Sequence, residues 1–186
     1  MPRPSTSDGP TPGSEADLVP DADPVEVARS IVLRQLSARA RSRSQLEQAL
    51  ARRGVPDDVA AQVLDRFTEL GYVDDAAFAE SWVQSRQQGR GLARRALAYE
   101  LRQKGIDDDT ARGALDALDP DDERAAAVAL VRKRMSSLRN QPDDVKVRRL
   151  SGMLARKGYP PGVARGVVRE ALHGESAELL EGADPD

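Results

Sequence analysis

The strongest constraint on this chain is a short motif that occurs three times, at a spacing of 51 to 53 residues. Each copy consists of a leucine, three residues that include arginine or lysine, a glycine, and a large apolar or aromatic residue. The copies span residues 50–55, 101–106 and 154–159. A second leucine precedes each copy by four residues. Because common two-helix repeats have periods of about 34 to 47 residues, this longer period predicts three helices per repeat.

The spacing within the motif also predicts where each repeat turns. Two leucines four residues apart lie on one face of a helix and predict a buried stripe. The glycine predicts positive φ between the second and third helices of a repeat. No stretch alternates like a half-buried strand. We therefore predict an all-α protein in which three tandem three-helix repeats, residues 25–73, 74–119 and 120–173, form an elongated, curved array.

Capping signals predict the first residues of several helices. Asp23-Pro24 and Asp119-Pro120 each combine an N-cap residue with a proline at the first helical position. Residues 44–47, Ser-Gln-Leu-Glu, match a capping box in which the serine caps the backbone and the glutamate reaches back. This box predicts the start of the second helix.

The joint between the first two repeats is equally well marked. Gly71 predicts the left-handed residue after the third helix, and Asp74 predicts the N-cap of the fourth. We expect the fourth helix to end near Gln88 and the ninth near Leu172, each before a glycine-containing stretch.

The net charge of −3 conceals an uneven distribution. Residues 1–24 carry five acids and one arginine, and residues 174–186 carry five acids and no base, so the body between them has a charge of +6. We predict that the N-terminal segment, rich in Pro, Ser, Gly and Asp, is disordered, and that the acidic C-terminal tail is mobile. A basic body with acidic tails permits contact with a polyanion.

Composition excludes most enzyme and membrane classes. The chain has no cysteine, and its lone histidine, His173, supports no nucleophilic triad. It also lacks a P-loop, and residues 89–91, Gly-Arg-Gly, lack the third glycine of a dinucleotide fingerprint. We predict a non-enzymatic protein without cofactor or metal. With no apolar run of roughly 20 residues and no secretion signal, we expect it in the cytoplasm, away from membranes.

Two features invite a chemical interpretation that we set aside. Asp74 and Asp75, and the aspartates at 107–109, lie where helices begin, so N-capping explains them better than metal binding. Phe78 and Trp82, four residues apart, fit core positions better than a base-stacking platform.

The second helices are basic, whereas the third helices of the first two repeats are acidic. In a helix-turn-helix protein the last helix enters the major groove, where phosphates would repel these acids. The acidic third helices therefore make sequence-specific recognition of DNA unfavourable. Three interpretations remain for the basic second helices: a solvated face, contact with an acidic partner, or non-specific contact with the DNA backbone. Their cations include Arg52, Arg53, Arg102, Lys104, Lys146, Arg148, Arg149, Arg156 and Lys157.

Four arginines form the strongest candidate contact. Arg86, Arg90, Arg94 and Arg95 surround the glycine-flanked break at residues 89–91, where the backbone can adapt to a partner.

The central repeat contains an ordered series of motifs: Gly71-Tyr72-Val73-Asp74-Asp75, Phe78-Ala79, Arg86, Arg94 and Glu100-Leu101-Arg102-Gln103-Lys104-Gly105-Ile106. In this order and spacing the motifs resemble the RecX family, regulators of the RecA recombinase. The resemblance covers about residues 25–173. One departure is at residues 91–96, Gly-Leu-Ala-Arg-Arg-Ala, where the family pattern usually has Gly-Pro, a basic pair and Ile.

The resemblance implies a curved body of three-helix repeats that binds in the groove of a RecA filament on single-stranded DNA and inhibits strand exchange and ATP hydrolysis. We expect a monomer that binds single-stranded DNA and, with lower affinity, double-stranded DNA through non-specific backbone contacts. A non-specific nucleic-acid-binding protein and a repeat scaffold for another protein are the alternatives. The candidate contact residues for RecA or DNA are Tyr72, Asp74, Asp75, Arg86, Arg90, Arg94, Arg95, Arg102, Lys104, Arg148, Arg149, Arg156 and Lys157.

Overall fold

The structure, a computed structural model, describes residues 23–181, with side chains as far as Gly174. Within these residues it contains nine α-helices and no strand, as predicted. A short 3₁₀ helix, Ser136–Leu138, follows the seventh α-helix. The helices are α1 (Pro24–Ala38), α2 (Arg43–Ala51), α3 (Asp57–Glu69), α4 (Asp75–Arg90), α5 (Arg94–Gln103), α6 (Asp108–Asp116), α7 (Pro120–Met135), α8 (Asp143–Arg156) and α9 (Pro161–Glu181).

The described residues divide into two compact units. The first comprises residues 23–40 and 46–72, and in it α1 packs on α3. Two of its buried leucines, Leu46 and Leu50, are the pair predicted from the repeat motif. Its other large buried side chains are Ile31, Val32, Val55, Val63, Leu64 and Phe67.

The second unit comprises residues 41–45 and 73–181 and contains two hydrophobic cores. Helices α4, α5 and α6 enclose one core, and α7, α8 and α9 enclose the other. Each core is built around its own leucine pair, which confirms the predicted buried stripes. These pairs are Leu97 with Leu101, and Leu150 with Leu154.

The glycines of the motif have the backbone that the sequence predicts. Gly54, Gly105 and Gly158 have φ of 72°, 74° and 90°, a region that side-chain-bearing residues rarely adopt. Gly71 has φ of 74° after α3. Helix α4 continues to Arg90 and ends at left-handed Gly91, slightly beyond the predicted end near Gln88.

A hydrogen bond to the carbonyl that precedes a motif glycine occurs twice within the second unit, once from a side chain and once from the backbone. Ser42 donates its hydroxyl hydrogen to the carbonyl of Lys104, with 2.6 Å between the oxygens. At the aligned position, Ala93 donates its backbone N–H to the carbonyl of Lys157 at 2.9 Å. Ser42 and Ala93 are both fully buried. Each acceptor residue immediately precedes a motif glycine, so the turn at that glycine also anchors the residue that donates the hydrogen bond.

The capping box predicted for α2 at residues 44–47 is wrong, because the observed box begins two residues earlier, at Ser42. The reciprocal hydrogen bonds join Ser42 and Gln45: Gln45 donates its N–H to the Ser42 hydroxyl, and Ser42 donates its N–H to Gln45 Oε1, both at 3.3 Å. Ser44 instead faces Gly105, where an added Cβ would collide with it. The hydrogen bond to Lys104 holds Ser42 in place, which selects this register.

The predicted end of α9 near Leu172 is also wrong. The helix continues through Gly174 to Glu181. Residues 175–181 include Ala, Leu and Glu, which favour helix, and a single interior glycine costs only about 1 kcal/mol. The disorder predicted for residues 1–24 is wrong at Asp23 and Pro24, which begin α1, and the mobility predicted for 174–186 is at odds with the helix as far as Glu181. The remaining residues of both segments, 1–22 and 182–186, fall outside the described residues.

Tyr159 links the two cores of the second unit. Its buried phenol donates a hydrogen bond to the carbonyl of Gly91 at 3.1 Å. Burial, with the negative charge of Glu123 as a smaller cause, raises the pKa of Tyr159 from its ordinary value of 10.0 to about 12. The unfolded chain therefore loses this proton at a lower pH than the folded chain.

We expect the stability that this proton confers to be fully present below pH 10 and to fall by about 1.4 kcal/mol per pH unit between pH 10 and 12. Tyr159→Phe should cost about 1 kcal/mol at pH 8 because it leaves the Gly91 carbonyl unpaired. At about pH 11 the order should reverse, since phenylalanine does not ionise. Urea unfolding of both proteins at the two pH values measures this difference, and a constant difference would contradict it.

Candidate functional site

Trp82 is the centre of a cationic cluster on α4 and α5. Its indole stacks on Phe78, with ring centroids 5.8 Å apart. The guanidinium of Arg86 lies 4.1 Å from the ring centroid of Trp82, and the ammonium of Lys104 lies 4.7 Å from it. Both distances allow a cation–π attraction. The ring is partly buried and packs against the core enclosed by α4, α5 and α6, in line with the predicted core position.

One carboxylate joins the indole of Trp82 to the two arginines of the cluster. Glu100 accepts the indole N–H of Trp82 at 2.9 Å, and its Oε2 lies 3.4 Å from Nε of Arg86. Its Oε1 lies 4.0 Å from a terminal nitrogen of Arg90. We call Trp82, Arg86, Arg90, Glu100 and Lys104 the Trp82 cluster. With three cations and one acid it has a local charge of +2, and its most exposed cation is Arg90, whose side chain is 60% exposed.

Helices α5 and α6 form a second cationic feature, the arginine groove. Arg94, Arg95 and Arg102 line it from α5, and Arg112 lines it from α6. Its volume is about 520 Å³. The remaining lining residues are Ala98, Asp108, Ala111, Leu115, Glu123, Gly158 and Pro160.

The acids of α6 repel phosphates less than the sequence suggests, because arginines neutralise two of these acids. Asp116 pairs with Arg94 at 2.8 Å, and Asp109 pairs with Arg112 at 2.7 Å. Asp107 caps the helix as predicted, and hydrogen bonds from Thr110 lower its pKa. The acidic third helix is therefore partly an ion-paired surface.

The predicted cations of the third repeat have different roles. Arg148, Arg149 and Arg156 are exposed. Lys157 belongs to a backbone joint: its carbonyl accepts from Ala93, and its ammonium donates to the carbonyl of Arg90. Lys146, grouped with the basic face on sequence grounds, is buried and pairs with Asp143 at 3.4 Å.

The remaining candidates flank the Gly71 joint. Tyr72 is 64% exposed, and its ring lies against Phe67 with centroids 5.8 Å apart. Asp74 caps α4 by accepting the N–H of Ala77 at 2.9 Å. Asp75 accepts the backbone N–H of Arg43 at 2.8 Å. Both aspartates therefore hold backbone N–H groups in place. Contact with a partner stays a prediction for Tyr72, Asp74 and Asp75.

The structure brings together predicted residues that the sequence leaves scattered. Arg86, Arg90 and Lys104 meet in the Trp82 cluster, and Arg94, Arg95 and Arg102 meet in the arginine groove. Sequence reasoning did not assign three participants to the site, Trp82, Glu100 and Arg112. The four-residue spacings of Trp82 to Arg86 and of Glu100 to Lys104 were the available signals.

The described residues contain no group of three or more metal-ligating side chains suited to hold an ion. Among residues 23–181, no helix is both long and apolar enough to cross a bilayer.

Three family models match this sequence. The second three-helix domain of RecX matches residues 74–115, the first matches 28–67, and the third matches 121–168. Together they cover most of the chain, and each match lies within three consecutive helices.

Curated relatives and solved structures agree with these matches. The chain is 55% identical to "Regulatory protein RecX" of Thermobifida fusca over 172 residues, covering 92% of this chain and 91% of the relative. It is 48% identical to the protein of the same name from Streptomyces coelicolor over 182 residues, covering 96% and 97%. A crystal structure of regulatory protein RecX has a TM-score of 0.70 at 26% identity and covers 78% of this chain and 71% of its own. The crystal structure of RecX from Lactobacillus salivarius, 22% identical, shares the fold, with a TM-score of 0.73 over 80% of this chain and 96% of its own.

Proposed function

This chain belongs to the RecX family of regulatory proteins, and we propose that it binds RecA filaments on single-stranded DNA and inhibits RecA in recombination and DNA repair. We further propose that it does so in the cytoplasm, as a monomer and without catalysis of its own. The relatives' names describe regulators, which supports a role in control rather than in chemistry.

The observation that best supports nucleic-acid contact is the Trp82 cluster. Its local charge of +2 is held on two packed helices, and Glu100 and the indole fix the orientation of Arg86. A preorganised cation loses less side-chain entropy when it meets a phosphate than a freely moving one does. Arg90 is exposed at the edge of the cluster and is the cation best placed for that contact.

Repetition supports binding to a polymer. A filament presents the same surface at regular intervals, so several weak contacts made by successive repeats raise the overall affinity without any single strong site. The exposed Arg148, Arg149 and Arg156 of the third repeat supply further cationic contacts beside those of the central repeat.

The second candidate is a non-specific nucleic-acid-binding protein without a recombinase role. The charge of +6 on residues 25–173 favours it, because neutralised phosphates release counterions. This alternative requires naked DNA to bind as tightly as a filament, with a steep loss of affinity in salt.

Single-stranded-DNA-dependent ATP hydrolysis by RecA of the same organism tests the two candidates. The protein is titrated into preformed filaments, and its binding to the same naked DNA is measured in parallel. Loss of hydrolysis well below one copy per RecA supports direct regulation of the filament. Inhibition that begins only when the protein saturates the DNA would instead establish competition for DNA sites.

We expect Arg90→Glu to raise the concentration needed for half-inhibition by about tenfold, which corresponds to about 1.4 kcal/mol of binding free energy. The change reduces the local charge of the Trp82 cluster from +2 to zero and leaves Trp82 packing intact. Arg34→Glu on α1 is the matched control, because it makes the same change in charge at another exposed position. Equal inhibition by Arg90→Glu and Arg34→Glu would remove the Trp82 cluster from the binding surface.

A further inference from the structure

The arginine groove differs from the Trp82 cluster in both charge and lining. One side is a single face of α5, with Arg95, Ala98 and Arg102 at spacings of three and four residues. The opposite side is a face of α6, where Ala111 and Leu115 form an apolar floor together with Ala98. Guanidinium groups therefore rim an apolar trough.

Only some of the groove's arginines have partners. Arg94 and Arg112 are neutralised by Asp116 and Asp109. Within the part of the chain that the structure describes, Arg95 and Arg102 have no ion-pair partner. Two guanidinium groups thus remain available above the floor.

The surrounding charge argues against a nucleic-acid strand in this groove. Its four arginines are matched by four acids, since Asp108 and Glu123 line it and Asp109 and Asp116 are paired at it. A polyanion gains affinity by releasing counterions from a net positive surface, which this groove does not offer. A carboxylate fits, because a guanidinium binds it through two parallel hydrogen bonds.

We propose that the arginine groove binds a protein segment of the recombinase in which a carboxylate side chain lies next to an apolar one. The carboxylate pairs with Arg95 and Arg102, and the apolar side chain covers Ala98, Ala111 and Leu115. A volume of about 520 Å³ suits a few side chains and lies within the usual range of binding pockets. This assignment rests on the proposed function, and it divides the central repeat into a nucleic-acid-binding cluster and a protein-binding groove.

The test compares filament binding with binding to naked DNA. Ala98→Leu fills the floor without changing charge, and Arg95→Glu with Arg102→Glu reverses the two available cations at exposed positions. Arg34→Glu with Arg39→Glu is the matched control for the double reversal, because it changes the charge equally on exposed residues of the first repeat, outside the Trp82 cluster and the arginine groove. Affinities are measured by fluorescence anisotropy for labelled single-stranded DNA, alone and within RecA filaments held by a non-hydrolysed ATP analogue, and circular dichroism checks each fold.

We expect Ala98→Leu to weaken filament binding about tenfold and to leave binding to naked DNA within about twofold. The Arg95/Arg102 double reversal should weaken filament binding at least as much, while its effect on naked DNA should equal that of the Arg34/Arg39 control. Unchanged filament affinity in both groove variants would overturn the proposal, as would an equal loss on naked DNA. If the unmodified protein neither prefers filaments nor inhibits hydrolysis, the proposed function itself fails, and the groove assignment fails with it.

Discussion

Replacing Gly158 with alanine is expected to lower the free energy of unfolding of the second unit by about 3 kcal/mol. Its φ of 90° is strained for any residue with a side chain, which costs about 1 to 2 kcal/mol. An added Cβ would also lie 2.5 Å from the backbone nitrogen of Ala96, and overpacking costs about 1 to 3 kcal/mol more. The backbone of Ala96 cannot rotate away as a flexible side chain would.

Gly54 provides the matched control. It occupies the same place in the first repeat, with φ of 72°, and no atom lies within 4 Å of its added Cβ. Gly54→Ala should therefore cost only the backbone term, about 1 kcal/mol. Urea unfolding measured by circular dichroism gives both values, and Trp82 fluorescence reports on the second unit. Equal losses at the two glycines would show that the contact with Ala96 does not restrain Gly158.

Trp82→Ala is expected to lower the free energy of unfolding of the second unit by about 4 kcal/mol, more than Gly158→Ala does. The indole packs on Phe78, lies under Arg86 and Lys104, and donates to Glu100. Its removal leaves a cavity and a carboxylate without one of its donors. Thermal unfolding measured by circular dichroism tests the prediction.

Trp82→Phe separates the ring from its N–H group. Phenylalanine keeps an aromatic face for Arg86 and Lys104 but cannot donate to Glu100, so we expect a loss of about 1 to 2 kcal/mol. If Trp82→Ala and Trp82→Phe lose equal stability, the hydrogen bond to Glu100, rather than the aromatic ring, is the main contribution of Trp82 to the free energy of unfolding. If neither loses stability, Trp82 does not organise the cluster.

Much of the fold follows from local patterns in the sequence. The leucine pairs four residues apart predict the buried stripes, and the motif glycines predict positive φ, because both signals act within one or two helical turns. The Asp-Pro pairs at Asp23 and Asp119 mark helix starts for the same reason. The curvature of the array stays a prediction.

The errors arose where a distant contact outweighed a local signal. Ser44 had the better capping-box spacing to an acidic residue, yet Ser42 is the capping residue because its hydroxyl is held by Lys104, 62 positions away. Lys146 looked like part of a solvated face, but it is buried and paired with Asp143.

The candidate site shows the same division between local and distant information. The sequence alone determined which cations lie near the Gly91 break, because their order along two helices is local. Tertiary structure decided their roles by joining Trp82 to Glu100 across 18 positions and Arg94 to Asp116 across 22. Helical periodicity places a residue on a face of its own helix. Which acid meets which arginine depends on how two helices pack, and no local pattern encodes that choice.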